Sequence, residues 1–354
     1  MAQTVLPKVP DRVSVRLPYG VSGVLRPRAV AVGAVLVALT FGAFCVAVAT
    51  GDYPVSLSQV LRELVSTTDY QTWIVINEIR LPRALTGMLV GAALAMSGAI
   101  FQTVTRNPLA APDIIGITEG ASAFVVAGIV LGFGAGIGTQ TLGLTGALLC
   151  ALVIYLLSWR QGTTGYRMIL VGIGVSAICL SLTDYLLTRA QIYDAQTAMG
   201  WLVGNLNGRG WEHAQPLMIT LAVLVPAALA ANRWMRLLHL GQDVSTGLGV
   251  PVQRARLILL LIAVGLAAFA TAAAGPVLFV ALVAPQIAQR LVRQAAPPLI
   301  ASALTGGFIV LVSDVIAQRL LGDTTLPVGV VTGVLGAPCL LLLLARTNRS
   351  GSGG

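Results

Sequence analysis

The chain has 354 residues and a net charge of +9, yet only 10% of its residues are charged and 56% are hydrophobic. A chain this apolar cannot hide its side chains in one soluble core, and its repeated apolar runs approach the roughly 20 residues that cross a bilayer. The basic residues are scattered between those runs and form no stripe with interleaved aromatics, which excludes a nucleic-acid partner and points to membrane topology.

Residues 1–28 carry Lys8, Arg12, Arg16, Arg26 and Arg28 and read as a basic cytoplasmic segment. The apolar run 29–50 exceeds the roughly 7–15 residues of a secretory core. It reads as a retained first helix, although Ala47-Val48-Ala49 imitates a cleavage site. Ten spans are expected at about 29–50, 84–104, 113–131, 142–158, 167–188, 214–232, 257–274, 277–292, 298–316 and 327–345, which makes an all-α polytopic membrane protein. With the N-terminus inside, sixteen of the 22 basic residues fall on the inner side and six on the outer, so both termini are expected in the cytoplasm. Residues 29–345 form the transmembrane domain, and 346–354 a cytoplasmic tail ending in a flexible Ser-Gly run.

Between the first two spans, Gly51 to Glu78 is an acidic outer connector in which Val55 to Val65 has the pattern of a short interfacial helix. Arg80 and Arg83 stand at the mouth of the second span, where arginine commonly anchors a helix at the headgroups. Within that span Gly87, Gly91, Ala95 and Gly98 recur at three- or four-residue spacing, which lets helix backbones approach closely in lipid. The Gly128 to Gly138 run fits neither G-x-G-x-x-G nor a phosphate loop and reads as a turn. Residues 160–167 form a short polar inner connection with Thr163 and Thr164. Trp201 and Trp211 bracket an outer glycine-bearing segment and suit an interfacial aromatic anchor. The longest inner loop, Arg233 to Arg256, has an apolar side and breaks near Thr246-Gly-Leu-Gly249 into two expected short helices. Pro285 falls inside an apolar span and removes a hydrogen bond that a neighbouring helix or water must replace.

Several chemistries are missing. Lys8 is the only lysine and lies in the basic segment, so this chain holds no phosphate loop for ATP. The four cysteines show no CxxC spacing, and two histidines cannot build a multi-histidine metal site. Glu119, Asp184 and Asp314 lie in or near apolar spans, where an ionisable group marks a pathway or meets a structural partner. Asp184 is placed to pair with Arg189, and Asp314 lies one turn from Gln318.

Arg80-Leu81-Pro82-Arg83, Gly91-Ala92-Ala93-Leu94, Ser97-Gly98, Gln102, Arg106-Asn107-Pro108-Leu109-Ala110 and Gly116 with Gly120-Ala121 together resemble, in order, the second and third helices of the iron-siderophore and vitamin B12 permease family. These are the membrane subunits of type II ABC importers. Pro112-Asp113-Ile114-Ile115-Gly116 and Ala284-Pro285-Gln286 look most like a subunit of the ferric-enterobactin type. The resemblance implies a type II importer permease fold and a transport subunit, not an enzyme, that moves an iron(III)-siderophore complex across the bacterial inner membrane; cobalamin or haem is the alternative cargo. It further implies an extracytoplasmic siderophore-binding protein docking on Arg80, Arg83 and Arg319, and an inner gate at Thr163 and Thr164. An ATP-binding subunit dimer holding ATP and Mg is implied beneath Leu240, Gly241, Val244, Leu248, Gly249 and Val250. A second permease subunit is implied too, as a heterodimer or, alternatively, a homodimer. Two departures touch the docking set: Gln318 with Arg319 beside it stands where an arginine is expected, and Thr325 where an acidic residue often precedes Leu-Pro. The rival reading is an ion-coupled secondary transporter using Asp184 or Asp314 as its proton site.

Overall fold

The computed structural model describes residues 13–16, 22–25, 27–51, 53, 70–134, 136, 138–159, 165–320 and 325–351. The Val55 to Val65 segment and the gate residues Thr163 and Thr164 lie outside them. Thirteen helices are described: α1 (Pro27–Ala49), α2 (Tyr70–Thr105), α3 (Pro112–Ile115), α4 (Ile117–Val130), α5 (Thr139–Ser158), α6 (Gly165–Arg189), α7 (Ile192–Leu202), α8 (Trp211–Leu238), α9 (Gln242–Gly247), α10 (Val252–Ala274), α11 (Val280–Val292), α12 (Leu299–Arg319) and α13 (Val328–Gly351). Ahead of them β1 (Val13–Arg16) pairs antiparallel with β2 (Ser22–Leu25), Val13 opposite Leu25, a hairpin the all-α reading did not include. Alternation of Val13 and Val15 with Ser14 and Arg16 is the period-two pattern that permits it.

Among the described residues, seven helices are long and apolar enough to cross a membrane, and α4, α11 and α13 supply three shorter apolar ones. This agrees with ten expected spans. The ends of the bundle are called outer and inner after the charge bias above. The third span differs from expectation: Gly116, at φ 99°, separates α3 from α4, because only a residue without Cβ takes that conformation cheaply.

Helix α2 is the pillar. Its most apolar window is 78% buried, against 11% for α1 and 17% for α6. Its 36 residues span about 54 Å at about 1.5 Å per residue, more than a bilayer with its headgroups. The small residues do what their spacing predicts. A Cβ on Gly91 would run into the backbone of Gly306 on α12, and one on Gly98 into the carbonyl of Ala281 on α11. Pro285 leaves that same carbonyl without its helical donor. The Gly98 backbone packs over it, and one turn below Gln102 Nε2 donates to Leu282 O at 3.0 Å while Gln286 Nε2 donates to Gln102 Oε1 at 2.7 Å. Ser97 Oγ closes the contact with α10 by donating to Ala263 O at 2.7 Å. The neighbouring helix thus covers the carbonyl the proline orphaned and hydrogen-bonds the next one, Leu282 O.

Helix α2 ends where Arg106 turns left-handed (φ 53°) and Asn107 Oδ1 accepts from Leu109 N at 2.9 Å. The Arg-Asn-Pro run is therefore a helix stop.

Candidate functional site

Two surfaces at opposite ends of α2 hold most of the residues singled out from sequence. At the outer end, Val75–Arg80 widen to a π-helical turn in which Leu81 N bonds to Ile76 O. In a regular helix Leu81 would bond to Asn77 O; the wider turn frees that carbonyl, and Trp211 Nε1 donates to it at 2.8 Å. Pro82 follows and has no N–H to restore the regular ladder. Trp211 is thus pinned to α2. Trp201 is 5% exposed and packed in the core, so of the two tryptophans it does not serve as an interfacial anchor.

Arg80 is 7% exposed. Its Nη1 donates to Val48 O (3.3 Å) and Ala49 O (3.1 Å), and its Nη2 to Tyr53 O (2.5 Å). A guanidinium is thereby spent on the last carbonyls of α1, which a helix leaves without internal donors. The close approach requires Gly51, where a Cβ would overlap that guanidinium. A docking contact needs an exposed charge, so the expectation for Arg80 is corrected: it is an internal clamp between α1 and α2.

Arg83 makes a two-pronged pair with Asp314 on α12, Nε to Oδ2 at 3.1 Å and Nη2 to Oδ1 at 2.8 Å, with side-chain exposures of 18% and 2%. Gln318 Nε2 donates to Asp314 Oδ2 at 2.8 Å, satisfying the one-turn spacing seen in sequence. Asp314, expected as a pathway candidate, is thus placed in a paired and hydrogen-bonded cluster at the outer end. Arg319 is exposed and donates from Nη2 to Gly51 O at 3.2 Å. The three arginines and Gln318 line one outer cavity of about 270 Å³ with Gly51 and Tyr53. Structure therefore gathers the expected docking residues but leaves only Arg319 fully at the surface.

The other two acidic candidates are not brought to this cluster. Glu119 lies half-buried in the first turn of α4, near Asp113, whose Oδ1 accepts from Thr118 Oγ1 at 3.3 Å. Asp184 is exposed on α6, and Arg189 lies over the Tyr185 ring, 5.6 Å from its centroid, in place of the expected pair with Asp184. Sequence reasoning missed the company Asp184 keeps. Gly174, Ala177, Ser181, Asp184 and Thr188 recur at alternating three- and four-residue steps and are all exposed, one small and polar stripe on a spanning helix.

At the inner end α8 runs to Leu238 and is followed by α9. The expected pair of short helices is one: Gly241 (φ 116°) opens α9, Gly249 (φ 76°) follows it, and α10 begins at Val252. Ser245 holds the loop from within, its Oγ shared between Leu237 O (2.8 Å) and Gly241 O (2.5 Å). Leu240, Val244 and Leu248 are 58%, 50% and 59% exposed, an apolar ridge at four-residue spacing. Val250 is 8% exposed and packs inward, so it is removed from the expected contact set. The inner stop of α2 lies against this loop: a Cβ on Gly241 would touch Arg106 Nη1 at 3.6 Å. One helix therefore joins the arginine cluster to the apolar ridge.

Residues 37–346 match the model of the FecCD transport family. The chain is 42% identical over 302 residues to the ferric enterobactin transport system permease protein of Escherichia coli (strain K12), covering 85% of this chain and 91% of that protein. It is 38% identical over 284 residues to the iron(3+)-hydroxamate import system permease protein of Bacillus subtilis (strain 168), covering 78% and 84%. A solved inward-facing structure described as a metal-chelate type ABC transporter superposes with a TM-score of 0.79 at 25% identity, over 89% of this chain and 99% of that one.

Proposed function

Because the chain belongs to the FecCD transport family, we propose that it is the permease subunit of a bacterial ABC importer for an iron(III)-siderophore complex, driven by ATP and Mg held on a separate subunit dimer. The observation that carries this reading is the exposed ridge of Leu240, Val244 and Leu248 in a chain with no phosphate loop of its own. Exposed leucines on an inner loop suit a cleft in a partner, and the left-handed glycines at 241 and 249 hold the ridge clear of the bundle.

The small, polar stripe of α6 supports a pathway wall completed by a second permease subunit, in a heterodimer or a homodimer. Asp184, Ser181 and Thr188 suit an aqueous passage better than lipid. Glu119 is the second pathway candidate, and Thr163 and Thr164 are assigned the inner gate. On the outer side, Arg319 and the accessible edge of Arg83 meet acidic residues of the siderophore-binding protein, with Arg80 holding the platform beneath them. Both termini lie in the cytoplasm, as the charge bias favours.

The test is copurification from the native membrane followed by reconstitution. A second permease and an ATPase with a phosphate loop should accompany the chain, and a ferric-siderophore-loaded binding protein should stimulate ATP hydrolysis. Stimulation by cobalamin- or haem-loaded protein alone would change the cargo. Uphill uptake by the isolated chain under a proton gradient alone would replace this reading with a secondary transporter.

A further inference from the structure

A cavity of about 600 Å³ opens at the inner end of the bundle between three segments distant in sequence. These are the first turns of α1, the inner end of α8 and the connection from α11 to α12. Arg236, Asn232 and Gln294 give it polar groups, and beside them stand Val30 and Ile300, 58% and 59% exposed. The wall is half polar and half greasy at the level where a bilayer changes in the same way.

Charge in this region has one sign. Residues 27–33, 229–238 and 290–301 contain Arg28, Arg233, Arg236, Arg290 and Arg293 and neither Asp nor Glu. No ion pair among the described residues involves any of the five. Arg28 Nε donates to Leu291 O at 2.9 Å, which fastens α1 to the end of α11 and keeps that charge at the rim. Helix dipoles do not supply the missing anion. Helices α1 and α12 begin at this cavity while α8 and α11 end there, so two positive and two negative ends of about half a charge each cancel. Nor does the N-terminal segment, because residues 1–26 hold Lys8, Arg12, Arg16 and Arg26 against Asp11 alone.

We propose that this cavity binds an anionic phospholipid of the inner leaflet, its phosphate held by Arg236, Asn232 and Gln294 and an acyl chain lying along Val30 and Ile300. Basic pockets between spanning helices on the cytoplasmic side have the chemistry for such headgroups, and a zwitterionic lipid leaves the arginine charge unanswered. The bound lipid would tie α1, α8 and the α11–α12 connection together beside the segment that leads into the coupling loop.

The experiment offers the detergent-purified chain an equimolar mixture of phosphatidylglycerol and phosphatidylethanolamine and reads retained lipid by native mass spectrometry. Phosphatidylglycerol should be retained preferentially. That preference should fall about fivefold for each arginine removed in Arg236→Gln and Arg293→Gln, as about 1 kcal/mol per basic residue near an anionic surface implies. Arg236→Lys should keep it, and Arg254→Gln, outside the cavity, should leave it unchanged. Both removed arginines are exposed, so the variants take no contact out of the core. Equal retention of the two lipids, or an unaltered preference in the double variant, would overturn the proposal. Displacement of the lipid by millimolar inorganic phosphate would assign the site to a soluble anion instead. A photoreactive side chain in place of Ile300 should label lipid; labelling of residues 1–26 or of a partner subunit would name a different occupant and equally overturn it.

Discussion

At the outer end of α2 the charged side chains turn inward, whereas at its inner end the adjoining loop turns its leucines outward. Arg80 is held by α1 carbonyls and Arg83 by Asp314, so both outer charges are answered within the chain. Leu240, Val244 and Leu248 stay exposed among the described residues, and their loop is held in place by Ser245 and two glycines. A buried charge is costly unless paired or hydrogen-bonded, while an apolar ridge remains available until a partner covers it.

Substitutions at the two ends should fail in different ways. The largest effect on stability is expected from Arg83→Ala, which leaves the 2%-exposed Asp314 carboxylate unpaired. A loss of about 3–5 kcal/mol should appear in thermal unfolding of the detergent-solubilised chain, with partial recovery when the charges are exchanged in Arg83→Asp with Asp314→Arg. Arg80→Ala should cost less, about 1.5–3 kcal/mol, because it unpairs neutral carbonyls and not a buried charge. Trp211→Phe keeps the ring and removes one hydrogen bond to Asn77 O, a loss of about 1 kcal/mol by the same measurement. Leu240→Asp with Leu248→Asp should move stability least, within about 0.5 kcal/mol, while abolishing uptake and ATPase copurification. An inner double variant that unfolds, or an Arg83→Ala chain of unchanged stability, would erase the contrast between the two ends. Arg319→Glu sharpens it further: uptake should fall with no change in melting, since this arginine is exposed and, among the described residues, hydrogen-bonds only Gly51 O.

Much of the membrane body was legible in the chain itself. Apolar run length located ten spans because a bilayer has a fixed thickness, and glycine spacing marked α2 as the helix others would touch. Pro285 announced a missing hydrogen bond. Less legible were features that depend on which helices meet. The π turn at Val75–Arg80 became meaningful only with Trp211 across from Asn77, residues far apart in sequence. Glu119, Asp184 and Asp314 look alike along the chain, and only packing separates a paired carboxylate from one on an exposed stripe.

Sequence alone determined that this protein lives in lipid, that it lacks a phosphate loop and that it belongs among permeases, because composition, periodicity and motif order are properties of the chain. Tertiary structure decided which arginines are clamps and which remains at the surface, and which residues of the inner loop face out. The physical reason is that a charge's role depends on what lies within a few ångströms of it, and those neighbours come from other helices, 31 and 32 residues away for Arg80 and 231 for Arg83.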